Sequence, residues 1–256
     1  MSSLNDNIAI VTGGAKGIGK GIVEALVQKG AYVIIADIDE ESAIHTVDEY
    51  KQCEFYKVDL CCDKEVEKMF EYVADKYKKI DILVCNAGIQ IRNWATEFEM
   101  DKFDAVLNLN LRAYYFCART AARYMKESQK GSIICISSVN SVKYHSKRSA
   151  YNISKAAVNG LVGTLAVEWG RFGIKINAIA PGYVRTELME SGIKEGIIDE
   201  QNIMSIIPMK RYITTQEVGN VAAFLASDES NGVTGQVICV DGGWSVNALP
   251  EEKHME

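Results

Sequence analysis

Short, nearly unbroken apolar runs alternate along this chain with stretches whose apolar residues recur every three or four positions. The runs are IAIVTG, AYVIIAD, CEFYKVDL, IDILVCNAG, GSIICISS, IKINAIAPG and GQVICVDGG. A strand covered on both faces reads as such a run, whereas a half-exposed strand alternates. After the first run, Ile18, Ile22, Val23, Leu26 and Val27 fall on one face of a helix that Gly30 closes. Further helices are expected after Asp37, from Asp63, roughly from Met100 to Glu127, and over YNISKAAVNGLVGTLAVEWGRF. One more starts near Thr214, where Thr214 and Glu217 are spaced for a capping box. Strands alternating with amphipathic helices predict an α/β domain, doubly wound, with a parallel seven-stranded sheet and helices on both faces. No linker, repeat or low-complexity tract divides it, so a single domain is expected over 1–256. Residues 183–211 fit the rhythm worst. They follow the sixth strand, where the carboxyl ends of such a sheet open a crevice, and are expected to form a mobile lid over the substrate.

Composition narrows the possible partners. With 256 residues, 48% apolar and 24% charged, the chain suits a soluble globular protein. A net charge of −6 argues against broad contact with nucleic acid or an anionic membrane surface. No apolar run is long enough to span a bilayer, and the amino-terminal residues do not resemble a secretory signal. The seven cysteines are scattered and include no C-x-x-C, which suits reduced thiols and a cytoplasmic location. No paired His, Cys and Asp ligands occur, so no metal is expected.

The loop TGGAKGIG joins the first strand to the first helix. Gly13, Gly17 and Gly19 stand where the chain must turn sharply and let a phosphate approach the backbone. Asp37 ends the second strand, 18 residues after Gly19, at the offset of a ribose-binding carboxylate. Such an acid accepts from both adenosine ribose hydroxyls and repels a 2′-phosphate. Lys16, inside the loop, would favour that phosphate. The position of Asp37 favours NAD, with NADP the alternative.

A second constellation follows the fifth strand. Ser138 ends that strand, and Tyr151 and Lys155 stand four residues apart on the next helix, so they share a face. Phenol is a poor base at neutral pH, and a neighbouring ammonium favours the phenolate. Ser138 could donate to a substrate oxygen and hold it against the Tyr151 hydroxyl. Singly, each feature is equally an ordinary turn, cap or solvated helix face.

Taken in order, TGGAKGIG, VDL at Asp59, CNAG at 85–88, NLNL with Asn110, Ser138, YNISK, PGYVRT at 181–186 and VDGG at 240–243 resemble the short-chain dehydrogenase/reductase family. The resemblance runs from Ile8 to Trp244 and implies a single Rossmann domain that interconverts a secondary alcohol and a ketone by hydride transfer. It makes Tyr151 the general acid/base, Lys155 the group that lowers its pKa and holds the nicotinamide ribose, Ser138 the substrate-orienting hydroxyl, and Asn110 the anchor of a water relay. It places Asp59 at the adenine, with Asn86, Ala87 and Gly88 along the adenosine side and Pro181, Gly182 and Thr186 at the nicotinamide, and makes Ile18, Leu60 and Val184 further cofactor-binding residues. Cys85 departs from the usual asparagine of the family. A homotetramer follows from the resemblance, with LRAYYFCARTAARYM and the Tyr151 helix at the interface, where Ala156, Ala157, Gly160 and Gly163 would permit close approach.

The resemblance leaves the small-molecule substrate open. Arg92, four residues after Gly88 on the loop behind the fourth strand, could clamp a carboxylate. With APGY and DGGW it is similar to the branch of gluconate 5-dehydrogenase and the deoxygluconate dehydrogenases, which implies a sugar acid or polyol. Asn140, Tyr183, His145 and Arg148 are further candidates for the pocket, His145 being more readily read as an ordinary loop residue. A 3-oxoacyl-thioester reductase, a hydroxysteroid dehydrogenase and a cofactor-binding regulator without catalysis are the competing readings.

Overall fold

The computed structural model describes residues 3–247. Seven parallel strands form the main sheet: β1 (Ile8–Thr12), β2 (Tyr32–Asp37), β3 (Cys53–Lys57), β4 (Ile82–Cys85), β5 (Gly131–Ile136), β6 (Ile174–Pro181) and a last strand, Val237–Val240. Between β6 and this last strand come the two short strands β7 (Val184–Arg185) and β8 (Ile213–Thr214), so the last is β9. The order across the sheet is β3-β2-β1-β4-β5-β6-β9. The winding direction reverses between β1 and β4, and the loops leaving those two strands part to open a crevice at the carboxyl edge.

The helices are α1 (Gly17–Gln28), α2 (Glu40–Glu49), α3 (Asp63–Tyr77), α4 (Met100–Leu107), α5 (Ala113–Ser128), α6 (Ser149–Trp169), α7 (Glu187–Lys194), α8 (Glu200–Ile206) and α9 (Thr215–Ala226). Period-two alternation divides the strand side chains between two cores. Ile8, Ile10, Leu83, Ile133 and Ile176 meet Phe70 of α3, Met125 of α5 and Val162 of α6. Ala9, Val11, Val84, Ile134 and Ile179 meet Ile22 and Leu26 of α1 and Ala222 of α9. Both layers exclude solvent, which is why the strands read as continuous apolar runs. The capping box at the start of α9 forms as expected, Thr214 and Glu217 each satisfying the other's backbone N–H.

Two regions differ from the sequence expectation. The helix expected from Met100 to Glu127 is continuous but contains a π-helical segment, Asn108–Arg112, between α4 and α5. The proposed lid is largely regular. β7 pairs in parallel with β8, Thr186 caps α7 by accepting from the Met189 N–H at 3.2 Å, and Asp199 caps α8 through the Asn202 N–H at 3.1 Å. Its apolar residues Ile203 and Ile207 bury themselves against Tyr212, Trp244 and Val139 in a third, smaller core. No described helix is long and apolar enough to cross a membrane.

Candidate active site

A cleft of about 820 Å³ runs along the carboxyl edge of the sheet, from Asp37 at one end, past the glycine loop, to Ser138, Tyr151 and Lys155 at the other. Gly13 and Gly17 have φ of +64° and +56°, which only glycine adopts without strain. Gly19 is needed for space: a Cβ there would lie 1.9 Å from the Gly13 carbonyl oxygen and 2.6 Å from the Asn86 amide. Lys16, Ile18, Asp59, Leu60, Asn86, Ala87 and Gly88 line the same cleft, and Pro181, Gly182 and Thr186 form its opposite wall. The Val184 side chain is buried in the core beside α9, where β7 pairs with β8, and does not line the cleft.

The Asp37 carboxylate points back at the loop. One oxygen accepts from the Ala15 N–H at 3.0 Å, the other from the N–H groups of Ile38 at 2.7 Å and Asp39 at 3.0 Å. These bonds fix the acid at one end of the cleft. Lys16 pairs with Asp39 at 2.7 Å; that hydrogen bond, with help from Ser42, holds the Asp39 carboxyl down at about 2. The cation of the glycine loop is thus engaged by an acid two residues beyond Asp37.

Thr12 has a part that sequence reading missed. Its hydroxyl accepts from the Asn86 N–H at 2.9 Å and donates to the Val84 carbonyl at 3.2 Å, locking the ends of β1 and β4 together. Asn86 Nδ2 returns a bond to the Gly13 carbonyl at 2.8 Å. The only hint in the sequence was a hydroxyl-bearing residue closing an otherwise apolar strand.

At the reactive end, Ser138 follows β5; its Oγ accepts from the Asn140 N–H at 3.1 Å and hydrogen-bonds the Tyr151 phenol. Asn140 is buried beside it. Burial raises the Tyr151 pKa; the Ser138 bond and then the charge of Arg148 oppose this. Lys155 lies deeper, 3% exposed. Its Nζ donates to the Ile136 carbonyl at 2.7 Å, contacts the Tyr114 hydroxyl at 3.4 Å and lies 5.7 Å from the Tyr151 ring centre. Burial pulls its pKa to about 8, with the Cys135 and Cys85 thiols acting in the opposite direction. The charge of Arg148 thus acts on the Tyr151 phenol, while the Lys155 ammonium lies near the same ring and donates to the Ile136 carbonyl.

Asn110 lies on the π segment, buried behind Gly88. Its Oδ1 accepts from the Ile89 N–H at 2.9 Å, and its Nδ2 donates to the Ile89 carbonyl at 2.9 Å and to Ser154 Oγ at 3.2 Å. The side chain thus clasps the loop after β4 to the helix bearing Tyr151. Ser154, read from sequence as packing or capping, is one of the three anchors. Cys85 is buried, its Sγ 3.9 Å from the Tyr114 carbonyl, so the family's polar contact gives way to a core thiol.

Arg92 is exposed on its loop, with Nε donating to Gln90 Oε1 at 3.3 Å. It stands within electrostatic reach of Arg148 and Tyr183. Tyr183, His145 and Trp244 form an aromatic cluster, with centroids 4.7 Å apart for Tyr183–Trp244 and 5.2 Å for His145–Trp244. Burial, followed by the charges of Arg148, Arg92 and Lys143, lowers the His145 pKa and keeps the ring neutral at pH 7. Among the described residues no group of three or more His, Cys, Asp or Glu is placed to hold a metal ion.

A family model described as enoyl-(acyl carrier protein) reductase matches residues 13–245, which include the glycine loop, Asn110, Ser138, Tyr151 and Lys155. The chain belongs to the short-chain dehydrogenase/reductase family. This member is 35% identical over 244 residues to a 3-oxoacyl-[acyl-carrier-protein] reductase of Thermotoga maritima, covering 94% of this chain and 98% of that one. It is 32% identical to a D-beta-hydroxybutyrate dehydrogenase of Rhizobium meliloti, covering 93% and 98%. Among solved structures it is similar to a gluconate 5-dehydrogenase of Burkholderia cenocepacia J2315 in complex with NADP and tartrate, with a TM-score of 0.90, 31% identity, and coverage of 95% and 97%. This short-chain dehydrogenase/reductase is an oxidoreductase of the alcohol dehydrogenase/ketoreductase type that binds a nicotinamide cofactor.

Proposed function

We propose that the enzyme interconverts a secondary alcohol and a ketone on a sugar acid of the gluconate/keto-gluconate type or a related polyol, with NAD as the preferred cofactor. The observation that carries the substrate class is Arg92, which has no carboxylate partner among the described residues and is held on the loop that faces Tyr183 and Arg148. A guanidinium fork suits a carboxylate in two parallel bonds.

The residues of the cleft fit a nicotinamide dinucleotide. The glycine loop leaves a cradle that a Cβ at Gly19 would fill, Asp37 would accept from the adenosine ribose, and Lys155 would hold the nicotinamide ribose. Bound there, a nicotinamide would give a hydride to the carbonyl carbon or take it from the carbinol carbon. Ser138 holds the substrate oxygen. In reduction Tyr151 gives that oxygen its proton, and its raised pKa keeps the phenol protonated before the transfer. In oxidation the phenolate takes the proton, and the Ser138 bond together with the Arg148 charge favours that form. Lys155, the Asn110 segment and an anchored water return the proton to solvent.

The preference for NAD rests on Asp37 and Asp39 at the ribose mouth, with Lys16 engaged by Asp39. The Burkholderia gluconate 5-dehydrogenase holds NADP, which makes the question worth measuring. Wild-type kcat/KM should be higher with NADH, and Asp37→Ser should lower the NADH/NADPH ratio about tenfold or more. A wild type that prefers NADPH overturns this assignment.

Arg92→Gln should raise the KM for 5-keto-gluconate about tenfold with a smaller change in kcat, because it removes a charge-assisted clamp remote from the reacting carbon. An unchanged KM removes the basis for the sugar-acid reading. A 3-oxoacyl thioester is the second reading, favoured by the Thermotoga relative; a panel of keto-gluconates, hexuloses and 3-oxoacyl thioesters separates the two. The hydroxysteroid reading is weakened because Ile203 and Ile207 of the lid are spent on the core around Trp244. A homotetramer is supported by the open outer face of α6, where a Cβ added at Gly160 or Gly163 would meet no described atom within 4 Å.

A further inference from the structure

We propose that Arg148 and Arg92 together form a two-guanidinium recess that takes a hydroxy or keto substrate carrying two negative charges, either a dicarboxylate or a phosphate monoester. The inference rests on the sugar-acid reading and sharpens it. Arg148 immediately precedes α6, three residues before Tyr151. Its backbone forms a parallel bridge with Asn93, and the Asn93 N–H donates to the Lys147 carbonyl at 3.0 Å. This tie holds the loop of Arg92 alongside the start of the catalytic helix. The two guanidinium groups are close enough for the charge of Arg92 to add to burial in lowering the Arg148 pKa.

The recess lacks a counter-charge among the described residues. Arg148 is half-buried, and within that set its side chain makes no hydrogen bond or ion pair. Arg92 meets only the neutral Gln90. The other cations of the loop are engaged elsewhere. Lys143 Nζ donates to the carbonyls of Trp244 at 2.9 Å and Asn247 at 2.6 Å, and Lys147 stands 4.7 Å from the Trp94 ring centre. The charges felt by His145 at the same place are all positive; those felt by Arg148 besides Arg92 are the phenols of Tyr183 and Tyr151. A half-buried cation beside a second, exposed one is unfavourable without an anion between them. A single carboxylate leaves one cation unbalanced, whereas two negative charges neutralise the pair. The charge of Arg148 also reaches the Tyr151 phenol, so an anion seated on it lies next to the reacting carbon. Neutralising Arg148 withdraws support from the phenolate and favours the protonated tyrosine that reduction needs.

The test is a set of ketoses sharing one carbon skeleton, in monocarboxylate, dicarboxylate and phosphorylated monocarboxylate forms, assayed with NADH and with NADPH. In the wild type, kcat/KM for at least one dianion should exceed that for the monocarboxylate by about tenfold. The dicarboxylate and phosphate arms show which dianion is taken. Arg148→Gln should abolish the advantage, and Arg148→Lys should restore part of it. With the dianion, the pKa of Tyr151 read from kcat should lie above that read from kcat/KM, a shift that a merely structural Arg148 would not produce. Equal or better use of the monocarboxylate by the wild type overturns the dianion proposal and leaves the sugar-acid reading standing. Turnover of neutral hexuloses alone overturns both. If Arg148→Gln fails to fold or to bind NADH, competitive inhibition of the wild type by malonate against acetate decides, and equal inhibition counts against the recess.

Discussion

Tyr151→Phe should lower kcat roughly a thousandfold, within the range that general acid–base catalysis supplies, while leaving NADH binding close to wild type. The substitution removes one oxygen. The ring stays packed near Lys155, whose Nζ keeps its bond to the Ile136 carbonyl, and Ser138 Oγ keeps the Asn140 N–H. What disappears is the single group placed to exchange a proton with the substrate oxygen. Steady-state turnover together with a fluorescence titration of NADH measures both quantities. Retention of more than about a tenth of the activity would mean that another group or water carries the proton. Loss of NADH binding as well would assign the tyrosine to the cofactor site in place of the chemistry.

Gly19→Ala should weaken NADH binding about a hundredfold, or about 2.7 kcal/mol, and lower the melting temperature by several degrees. The new methyl would meet the Gly13 carbonyl oxygen at 1.9 Å and the Asn86 amide at 2.6 Å. Both obstacles are held in place: Gly13 by its N–H bond to the Ala36 carbonyl at 2.8 Å, Asn86 by Thr12 and Gly13. The turn has to open, and opening it disperses the N–H groups that cradle a pyrophosphate. Isothermal titration and thermal melting report the two effects. Wild-type affinity for NADH would show that the loop has slack which the contact distances deny.

The central strands were legible because each is buried on two faces, so its composition carries the signal without help from alternation. The glycine loop and Asp37 were legible because their spacing is set by the length of one helix and one strand. The parts that escaped depend on partners remote in sequence. Nothing local to NLNLR marks a π segment, which persists because Asn110 satisfies the Ile89 peptide and Ser154. The helices of the lid were hidden because their apolar residues are matched to Trp244 and Val139 and not to the sheet. The influence of Arg148 on Tyr151 was equally hidden, since nothing in the sequence separates it from the neighbouring cations Lys143 and Lys147.

The π segment works as a phase shifter. Inserting one residue into a helix turns everything beyond it by about 100°. Ahead of Asn108, α4 lies against α6. Beyond Arg112, α5 lays Tyr114, Cys117, Ala121 and Met125 onto the sheet. A straight α-helix with the same end points would have to choose between these two surfaces. The bulge lets a single rod address both, and the residue that occupies the dislocation is the asparagine that fastens the loop after β4 to the helix bearing Tyr151.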